Sequence, residues 1–288
     1  MTLSDGDPQG TAPLSDASAG VNGTPDGTGD ADLTAHRDAA RFAAAHGERV
    51  DLGVPSLIWG PGQQRRVDLI LEHIPLAHRR ILDVGCGVGQ YVRQLRDLPA
   101  TVVGVDVDVA RVTEGGRHVP DLLVSDAETL PFPDSSFDVV ILNEVIEHMG
   151  QPRASLREIG RILPAGGHVV IYAPNRGFPF ETHGVYWRGA YHFGNYPFVN
   201  WLPRRLRDRL VPHADVYTRG DLRRLMRRLP YRTVFQGAVY PAFDGIRNRN
   251  ARLGRLLQAT LHRAERTPLR RFGLSHFIIL ERLDGDGR

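Results

Sequence analysis

The chain has 288 residues, 41% of them hydrophobic, with 36 basic and 33 acidic residues and a formal net charge of +3. This length suits one large domain with appendages and can bury a sizeable core. The one cysteine, Cys86, excludes an intramolecular disulfide and is typical of a protein in a reducing cytoplasm. No apolar run predicts a membrane span or the core of a secretory signal, so we expect a cytoplasmic protein.

The small net charge conceals an uneven distribution along the chain. Residues 1–35 contain six acidic residues, no aromatic residue and no lysine or arginine, and we expect such a segment to be disordered. Residues 176–288 contain 22 arginines against nine acidic residues. Most of these arginines are expected on solvated helix faces. An anionic substrate, a membrane surface or nucleic acid are the alternative partners of so basic a segment.

The segment Arg80–Gln90, RILDVGCGVGQ, predicts a strand, a glycine-rich turn and the start of a helix. The apolar residues around Asp83 are typical of a parallel strand that is buried on both faces. Gly85, Gly87 and Gly89 lack a Cβ, so a ligand can approach the backbone of the turn directly. The order strand, turn, helix is the first unit of a doubly wound nucleotide-binding sheet.

The spacing of the glycines narrows the class of ligand. The pattern is G-x-G-x-G rather than the G-x-G-x-x-G of dinucleotide-binding proteins, and no lysine follows it to hold a triphosphate. Asp83, near the end of the strand, favours a ligand with a positive end. A second strand, TVVGVD, ends at Asp106, whose carboxylate can accept hydrogen bonds from both hydroxyls of a ribose. Together these features predict S-adenosylmethionine (SAM), a nucleoside with a cationic amino-acid tail and no phosphate.

The chain resembles class I SAM-dependent methyltransferases in three ordered segments: DVGCG at 83–87, VVGVD at 102–106 and SDAETLPFPDSSFDVVILNEVIEHM at 125–149. The resemblance covers Arg80–Asn175 and is strongest to the group that includes enzymes of ubiquinone and menaquinone biosynthesis. It implies an α/β fold with a doubly wound, mostly parallel sheet of seven strands, in which a final antiparallel strand lies at the sheet centre. It does not identify the methyl acceptor.

The resemblance also implies where the cofactor binds. Asp126, at the end of the third strand, would hydrogen-bond the adenine amino group, and the backbone of Ala127 would contact the ring. Helices within residues 36–78 are expected to cover the cofactor, with Trp59 either closing the site or packing in the core. The predicted cofactor-binding residues are Asp83, Gly85, Cys86, Gly87, Asp106, Val107, Asp126, Ala127 and Asn143.

Past the fourth strand, Glu144, Glu147 and His148 are spaced i, i+3 and i+4, so on an α-helix they would share one face. Two carboxylates and an imidazole can bind a divalent cation, and the pattern resembles the metal site of certain ubiquinone O-methyltransferases and small-RNA methyltransferases. The alternatives are a histidine that caps or orients, or one that acts as a general base. We favour His148 and Glu144 as catalytic residues, with His148 orienting or deprotonating the acceptor and no metal ion.

Residues 176–215 follow the fifth strand and are dense in aromatic residues. The resemblance implies that such an insertion forms a lid or an acceptor pocket. Glu181, His183 and His192 are its polar candidates, and a purely hydrophobic cover is the alternative. Within the insertion, Pro197–Leu210 predicts a basic amphipathic helix headed by aromatic residues. We expect this helix to dock on its own domain, and contact with an anionic membrane surface is the alternative.

The favoured function is methyl transfer from SAM to a small, partly apolar acceptor. O-methylation is preferred, and a phenolic acceptor would require a base nearby. RNA methylation through the basic C-terminal half is the first alternative, although no RNA-binding module is recognisable. A SAM-binding partner protein without catalysis is the second, and the intact cofactor motifs argue against it.

Overall fold

The computed structural model describes residues 59–284 except 244, 245, 247 and 248. The predicted disordered tail at 1–35 lies outside the described residues, as does the part of the predicted cofactor cover at 36–58. Within the described part of the chain, no helix is both long and apolar enough to cross a membrane.

One seven-stranded sheet organises the described residues. From one edge to the other, its strands are Tyr231–Val239 (β10), Ser275–Arg282 (β11), His168–Pro174 (β5), Val139–Asn143 (β4), Arg80–Val84 (β1), Thr101–Asp106 (β2) and Leu122–Val124 (β3). β11 pairs antiparallel with both of its neighbours, and the other pairs are parallel. The predicted doubly wound α/β fold with a mostly parallel seven-stranded sheet is confirmed.

The last strand is antiparallel as predicted, but its position differs from the prediction. β11 lies second from one edge of the sheet, between β5 and β10, and the central strand is β4. β10 adds itself outside β11 through a ladder from Tyr231 to Val239, which makes β11 an inner strand without making it the middle one.

Helices cover both faces of the sheet, because successive residues of a strand point to opposite faces. In β4, Val140 and Leu142 belong to one hydrophobic core, and Val139 and Ile141 belong to the other. Leu156 and Leu222 bring two helices onto the first core, and Ile70 and Leu95 bring two others onto the second. The helices are Pro61–Leu71 (α1), Gln90–Leu95 (α2), Val109–Gly116 (α3), Pro152–Ile162 (α4), Arg204–Leu210 (α5), Arg219–Met226 (α6) and Ala251–Ala264 (α7).

The segment between β5 and α6 contains its own small elements. Val185, Val211 and Ala214 form a separate small hydrophobic cluster there. Its elements are two antiparallel pairs, Phe180–Glu181 (β6) with Tyr196–Pro197 (β9) and Val185–Trp187 (β7) with Ala190–His192 (β8), followed by a 3₁₀ turn at Val199–Trp201 and by α5.

The predicted single helix over Pro197–Leu210 is wrong. Phe198 has a left-handed backbone with φ 63°, and only a 3₁₀ turn follows it. Leu202 is extended with ψ 153°, as is favoured for a residue that precedes a proline. Pro203 therefore separates the aromatic start of this segment from α5, which is seven residues long.

The sequence predicted that Arg207 lies on the basic, solvent-exposed face of a helix. In the structure it lies on α5 but is buried. The residue is 1% exposed. Its Nη2 is 2.7 Å from Oε2 of Glu181, and its Nη1 donates a hydrogen bond to the carbonyl of Ala214 at 2.5 Å. This arginine therefore ties α5 to β6 and to the chain beyond α5 inside the insertion.

Candidate cofactor and acceptor site

The turn at Gly85–Gly89 has a backbone that favours glycine. φ is 75° at Gly85, 55° at Gly87 and 80° at Gly89, all in the left-handed region. A Cβ on Gly85 would collide with the side chain of Val145, in the segment that follows β4. Gly85 therefore lets the turn after β1 pack directly against the segment after β4.

Asp106, at the end of β2, holds the turn in place. Its carboxylate accepts a hydrogen bond from the N–H of Gly87 at 2.8 Å and another from the N–H of Asp108 at 2.9 Å. Asp106 is buried, whereas Val107 beside it is 53% exposed. Because each carboxylate oxygen can accept more than one hydrogen bond, Asp106 retains capacity for ligand hydroxyls.

Asp83 is enclosed at the end of β1, close to Asp106. Burial, followed by the nearby Asp106 charge, raises the pKa of the Asp83 carboxyl to about 8. A bound cation would favour the ionised carboxylate, so the position suits a ligand with a positive end. Cys86 in the same turn is a buried free thiol whose pKa is raised by burial, which makes it a poor nucleophile.

The remaining predicted cofactor residues follow neighbouring strands at the same edge of the sheet. After β3, Asp126 is exposed, and its Oδ1 accepts a hydrogen bond from the N–H of Glu128 at 2.9 Å. Ala127 is half-buried beside it. Asn143 ends β4, and its side-chain oxygen accepts a hydrogen bond from Arg66. The carboxyl ends of adjacent parallel strands thus bring the predicted set to one edge, where ligands bind in open α/β sheets.

Arg66 on α1 is a polar residue of this edge that the sequence reasoning missed. Its Nη2 donates to Oε1 of Glu144 at 2.7 Å and to Oγ of Ser275 at 3.1 Å. Its guanidinium lies 4.8 Å from the ring centroid of Tyr172, whose hydroxyl donates to the Arg66 carbonyl at 2.9 Å. These contacts fix α1 over the carboxyl ends of β4 and β5. They could not be predicted from the spacing of residues in the sequence, because the partners lie far apart in the chain.

Glu144, Glu147 and His148 do not share one helical face, so that expectation is wrong. Ile146–His148 forms a single 3₁₀ turn, and Glu144 precedes it with a left-handed φ of 55°. Burial alone would raise the pKa of Glu144, but Arg66 and the Ser275 hydroxyl more than offset it, so the pKa is lowered. Glu144 is therefore an ion-paired carboxylate that helps to hold α1.

Glu147 lies in a different environment from Glu144. Its side chain is fully buried, and neither carboxylate oxygen has a hydrogen-bond partner among the described residues. Burial raises its pKa to about 8. The nearest cationic group is Nε2 of His183 at 3.8 Å, which is ion-pair distance but too long for a hydrogen bond.

His183 comes from the insertion and connects Glu147 with a second carboxylate. Its Nδ1 is 2.8 Å from Oε1 of Glu181, whose other oxygen receives Arg207. Burial lowers the pKa of His183, but the hydrogen bond to Glu181 and the charges of both carboxylates outweigh it and raise the pKa to about 10. The pKa of Glu181 is lowered to about 2, because His183 and Arg207 more than compensate for its burial. Of the three polar candidates of the insertion, the structure joins Glu181 and His183, and it leaves His192 exposed on β8.

His148 is oriented by the end of the insertion. Its Nδ1 lies 2.9 Å from the carbonyl of His213, and because a carbonyl only accepts, Nδ1 carries the proton. Nε2 of neutral His148 is then the basic nitrogen. The rings of His148 and His183 meet edge to face, with their centroids 5.6 Å apart.

Glu147, His148 and His183 can together hold a metal ion. One ligand atom from each residue lies within 4.8 Å of the others. Each imidazole also has its Nδ1 on an oxygen, at Glu181 or at the His213 carbonyl, as is common for histidines that bind metals. This set differs from the sequence-predicted one, because His183 replaces Glu144. That no metal takes part stays a prediction.

The family of the central region follows from its sequence. Residues 82–171 match the family model described as a methyltransferase domain. The demethylmenaquinone methyltransferase of Corynebacterium kroppenstedtii is 28% identical, over 47% of this chain and 59% of that protein. The ubiquinone biosynthesis O-methyltransferase of Nitrosococcus oceani is 35% identical, over 38% of this chain and 50% of that protein. The chain thus spans about half the length of these curated relatives.

Solved structures share the fold over most of the chain. A SAM-dependent methyltransferase from Mesorhizobium loti has a TM-score of 0.52 at 17% identity and covers 77% of this chain and 99% of its own. A putative methyltransferase in complex with the Trm112 activator of Haloferax volcanii has a TM-score of 0.54 at 18% identity and covers 87% and 96%. The [4+2]-cyclase SpnF has a TM-score of 0.53 at 20% identity and covers 79% and 84%. These likenesses concern the fold alone.

The sheet order and the turn after β1 define a Rossmann-like α/β domain. Residues 82–171 within it match a methyltransferase domain, and this part of the chain is similar to the ubiquinone and menaquinone methyltransferases. The predicted family, fold and cofactor are therefore confirmed.

Proposed function

We propose that this protein transfers a methyl group from SAM to the oxygen of a small, partly apolar acceptor. The observation that carries the proposal is the joining of two features at one edge of the sheet. Asp83, the glycine turn and Asp106 form the proposed cofactor site there, and the segment Glu144–His148, with its buried Glu147 carboxyl and half-buried His148 imidazole, packs directly on that turn through Val145.

The cofactor would lie along the carboxyl ends of β1 to β4. In this proposal Asp106 accepts hydrogen bonds from the ribose hydroxyls, and Asp83 faces the ammonium end of the methionine part. Asp126 binds the adenine amino group and Ala127 contacts the ring. The other cofactor contacts are assigned to Gly85, Cys86, Gly87, Val107 and Asn143. Support comes from the buried Asp83 carboxyl, whose raised pKa would be relieved by a cation.

We assign His148 to the acceptor. The hydrogen bond of Nδ1 to the His213 carbonyl leaves Nε2 as the nitrogen that takes a proton from an acceptor hydroxyl. SAM held at Asp83, the glycine turn and Asp106 would supply the methyl group, and the protein would contribute mainly the alignment of the acceptor oxygen, the methyl carbon and the sulfur. Glu144, the second predicted catalytic residue, is bound by Arg66 and Ser275, so we assign it to holding α1 over the site.

An acceptor with a hydroxyl and an apolar body fits these residues best. A base is needed for a phenol-like hydroxyl and not for a carboxylate, and His148 supplies one. The aromatic-rich insertion beside the site favours an apolar body. Relatives named as O-methyltransferases, such as the ubiquinone biosynthesis enzyme of Nitrosococcus oceani, support oxygen as the methylated atom.

A transfer assay with radiolabelled SAM tests the proposal. The full chain would be incubated with phenolic, glycosidic, lipid and RNA acceptors, with Asp106→Ala as the control that lacks a ribose ligand. Label in a small hydroxylated acceptor is the expected result. Label in RNA alone would instead identify an RNA methyltransferase that uses the basic C-terminal half. Tight SAM binding without transfer to any acceptor would favour a SAM-binding partner protein.

A further inference from the structure

Four aromatic residues of three segments, three exposed and one half-buried, form a surface that the cofactor site does not use. We call Phe180, Phe198, Trp201 and Phe272 the aromatic patch. Phe180, Phe198 and Trp201 are 42%, 58% and 48% exposed. The rings of Phe198 and Trp201 are 5.2 Å apart between centroids, and those of Trp201 and Phe272 are 6.4 Å apart. Phe180 lies on β6 opposite Pro197, the residue before Phe198. The rings of Phe198, Trp201 and Phe272 therefore border one another, although Phe272 lies far along the chain from the other two.

The backbone holds these rings outward. Phe198 has a φ of 63°, a conformation that is uncommon for a residue with a Cβ and that occurs mostly where surrounding contacts impose it. The contact that fixes it is the hydrogen bond from its N–H to the carbonyl of Pro179 at 2.6 Å. The indole N–H of Trp201 donates to the carbonyl of Gly177 at 3.2 Å. With that donor satisfied inside the protein, the Trp201 ring can enter an apolar phase without an unpaired polar group.

Positive charge lies on the patch itself and on the helix that follows Trp201 in the chain. Arg271 lies over the Phe272 ring, 4.8 Å from its centroid, and is exposed. On α5, Arg205 and Arg209 are exposed beside a single exposed acidic residue, Asp208. Aromatic rings at a polar–apolar boundary together with arginines are the composition of a surface that lies in the interface of an anionic bilayer.

We propose that the aromatic patch and its flanking arginines seat the protein on the surface of a membrane that contains anionic lipid. The rings enter the headgroup region, and the arginines contact lipid phosphates. The proposal replaces the single amphipathic helix that the sequence predicted with a surface built from β6, the 3₁₀ turn at Val199–Trp201 and the 3₁₀ turn at Pro268–Phe272.

One residue of the patch contacts the segment that follows β5. Gly177, which receives the Trp201 indole, is only three residues beyond the end of β5, at the edge where the parallel strands end. Membrane seating would therefore place that edge beside the lipid phase, the source of a partly apolar acceptor. This consequence rests on the proposed function, whereas membrane binding itself does not and can be measured without methyl transfer.

Vesicle co-sedimentation of the full chain tests the proposal. The vesicles would be phosphatidylcholine alone and phosphatidylcholine with one third phosphatidylglycerol. The expected result is binding to the anionic vesicles that is weakened by salt. Phe198→Asn with Trp201→Gln should lower the partition coefficient at least about tenfold, because aromatic burial contributes to interfacial binding. Asparagine is chosen at 198 because it tolerates the left-handed backbone. Arg205→Gln with Arg209→Gln should lower binding to anionic vesicles only.

Trp187→Gln is the matched control, since Trp187 is 58% exposed on β7 and makes no ring contact with the patch. Its partition should equal that of the wild type. Melting temperature and SAM affinity should be unchanged in every variant, which separates failed binding from failed folding. Equal loss in Trp187→Gln and in the patch variant, or no loss in the patch variant, would overturn the proposal. Retention on RNA without binding to anionic vesicles would overturn it as well.

Tryptophan quenching in the folded wild-type background provides a second readout. Brominated lipid should quench the fluorescence of a Trp187→Phe protein, which keeps Trp201, and should quench a Trp201→Phe protein much less. Equal quenching of the two proteins would contradict a membrane contact through the patch even where the double variant does not fold.

Discussion

The cofactor half and the insertion both contain buried carboxylates, but different groups stabilise them. In the cofactor half, Asp83 and Asp106 end adjacent strands, and backbone N–H groups satisfy Asp106. In the insertion, Glu181 is satisfied by the side chains of His183 and Arg207. A carboxylate that is bonded by backbone N–H groups tolerates substitution of the surrounding side chains. A carboxylate that is bonded by side chains depends on each of those side chains being present. The two regions should therefore fail differently when single residues are changed.

The largest effect is expected from Arg207→Leu. It removes one of the two cationic side chains that hold the buried carboxylate of Glu181, which should cost up to about 3–5 kcal/mol of stability. The loss should be local, so hydrogen exchange should rise in the insertion while the sheet keeps its protection. The double variant Glu181→Leu with Arg207→Leu should be less damaging, because it removes the buried carboxylate together with its arginine. A single variant as stable as the wild type in urea would contradict the role of this ion pair.

The next effect concerns turnover. His148→Ala should lower kcat about 10²-fold or more through loss of the general base, with a much smaller change in SAM affinity. Activity should survive treatment with EDTA. Abolition by EDTA and rescue by magnesium or zinc would instead make Glu147, His148 and His183 metal ligands.

Gly85→Ala tests the glycine turn of the cofactor half. It combines a left-handed backbone with a collision against Val145, so we expect destabilisation by about 2 kcal/mol or more and weaker SAM binding. Gly166→Ala is the matched control, because Gly166 has a similar φ of 78° with no atom within 4 Å of the added Cβ. Its cost should be that of the backbone alone, about 1 kcal/mol. Equal denaturation midpoints for the two variants would contradict the close approach.

Asp106→Ala should weaken SAM binding by about 1–3 kcal/mol, since the ribose hydroxyls lose their acceptor in a buried site. Calorimetry measures the change, and a circular dichroism spectrum like that of the wild type shows that the fold is intact. Wild-type affinity in a folded variant would refute the assignment of Asp106 to the ribose.

The smallest expected effect is the release of a proton from Asp83 when SAM binds. The free protein keeps Asp83 protonated until its pKa of about 8, and the SAM ammonium group favours the carboxylate. Binding near pH 7 should therefore release a proton, and the release should fade as the pH rises above about 8, where Asp83 is already ionised. Calorimetry in buffers of different ionisation enthalpy measures it. A release that persists in Asp83→Asn would assign the proton to another group.

The fold and the cofactor motifs were readable from the sequence because they are local. Each strand of β1 to β5 is a short apolar run, and each motif residue sits at a strand end or in a glycine turn with its neighbours in sequence. The left-handed turn at Gly85–Gly89 likewise depends on residue type at three positions. Such features require only that the strands pair in the order typical of this fold.

The acceptor side was decided by tertiary structure. The spacing of Glu144, Glu147 and His148 predicted a shared helical face, but Arg66 and Ser275 hold Glu144 while His183 reaches Glu147. These partners are contributed by segments distant in the chain, so no local period records them. The sequence by itself therefore determined the fold and the cofactor, because both follow from short-range patterns of backbone and burial. The burial of Arg207, the opposite surroundings of the two glutamates and the exposed aromatic patch depended on which distant side chains the folded chain brings together.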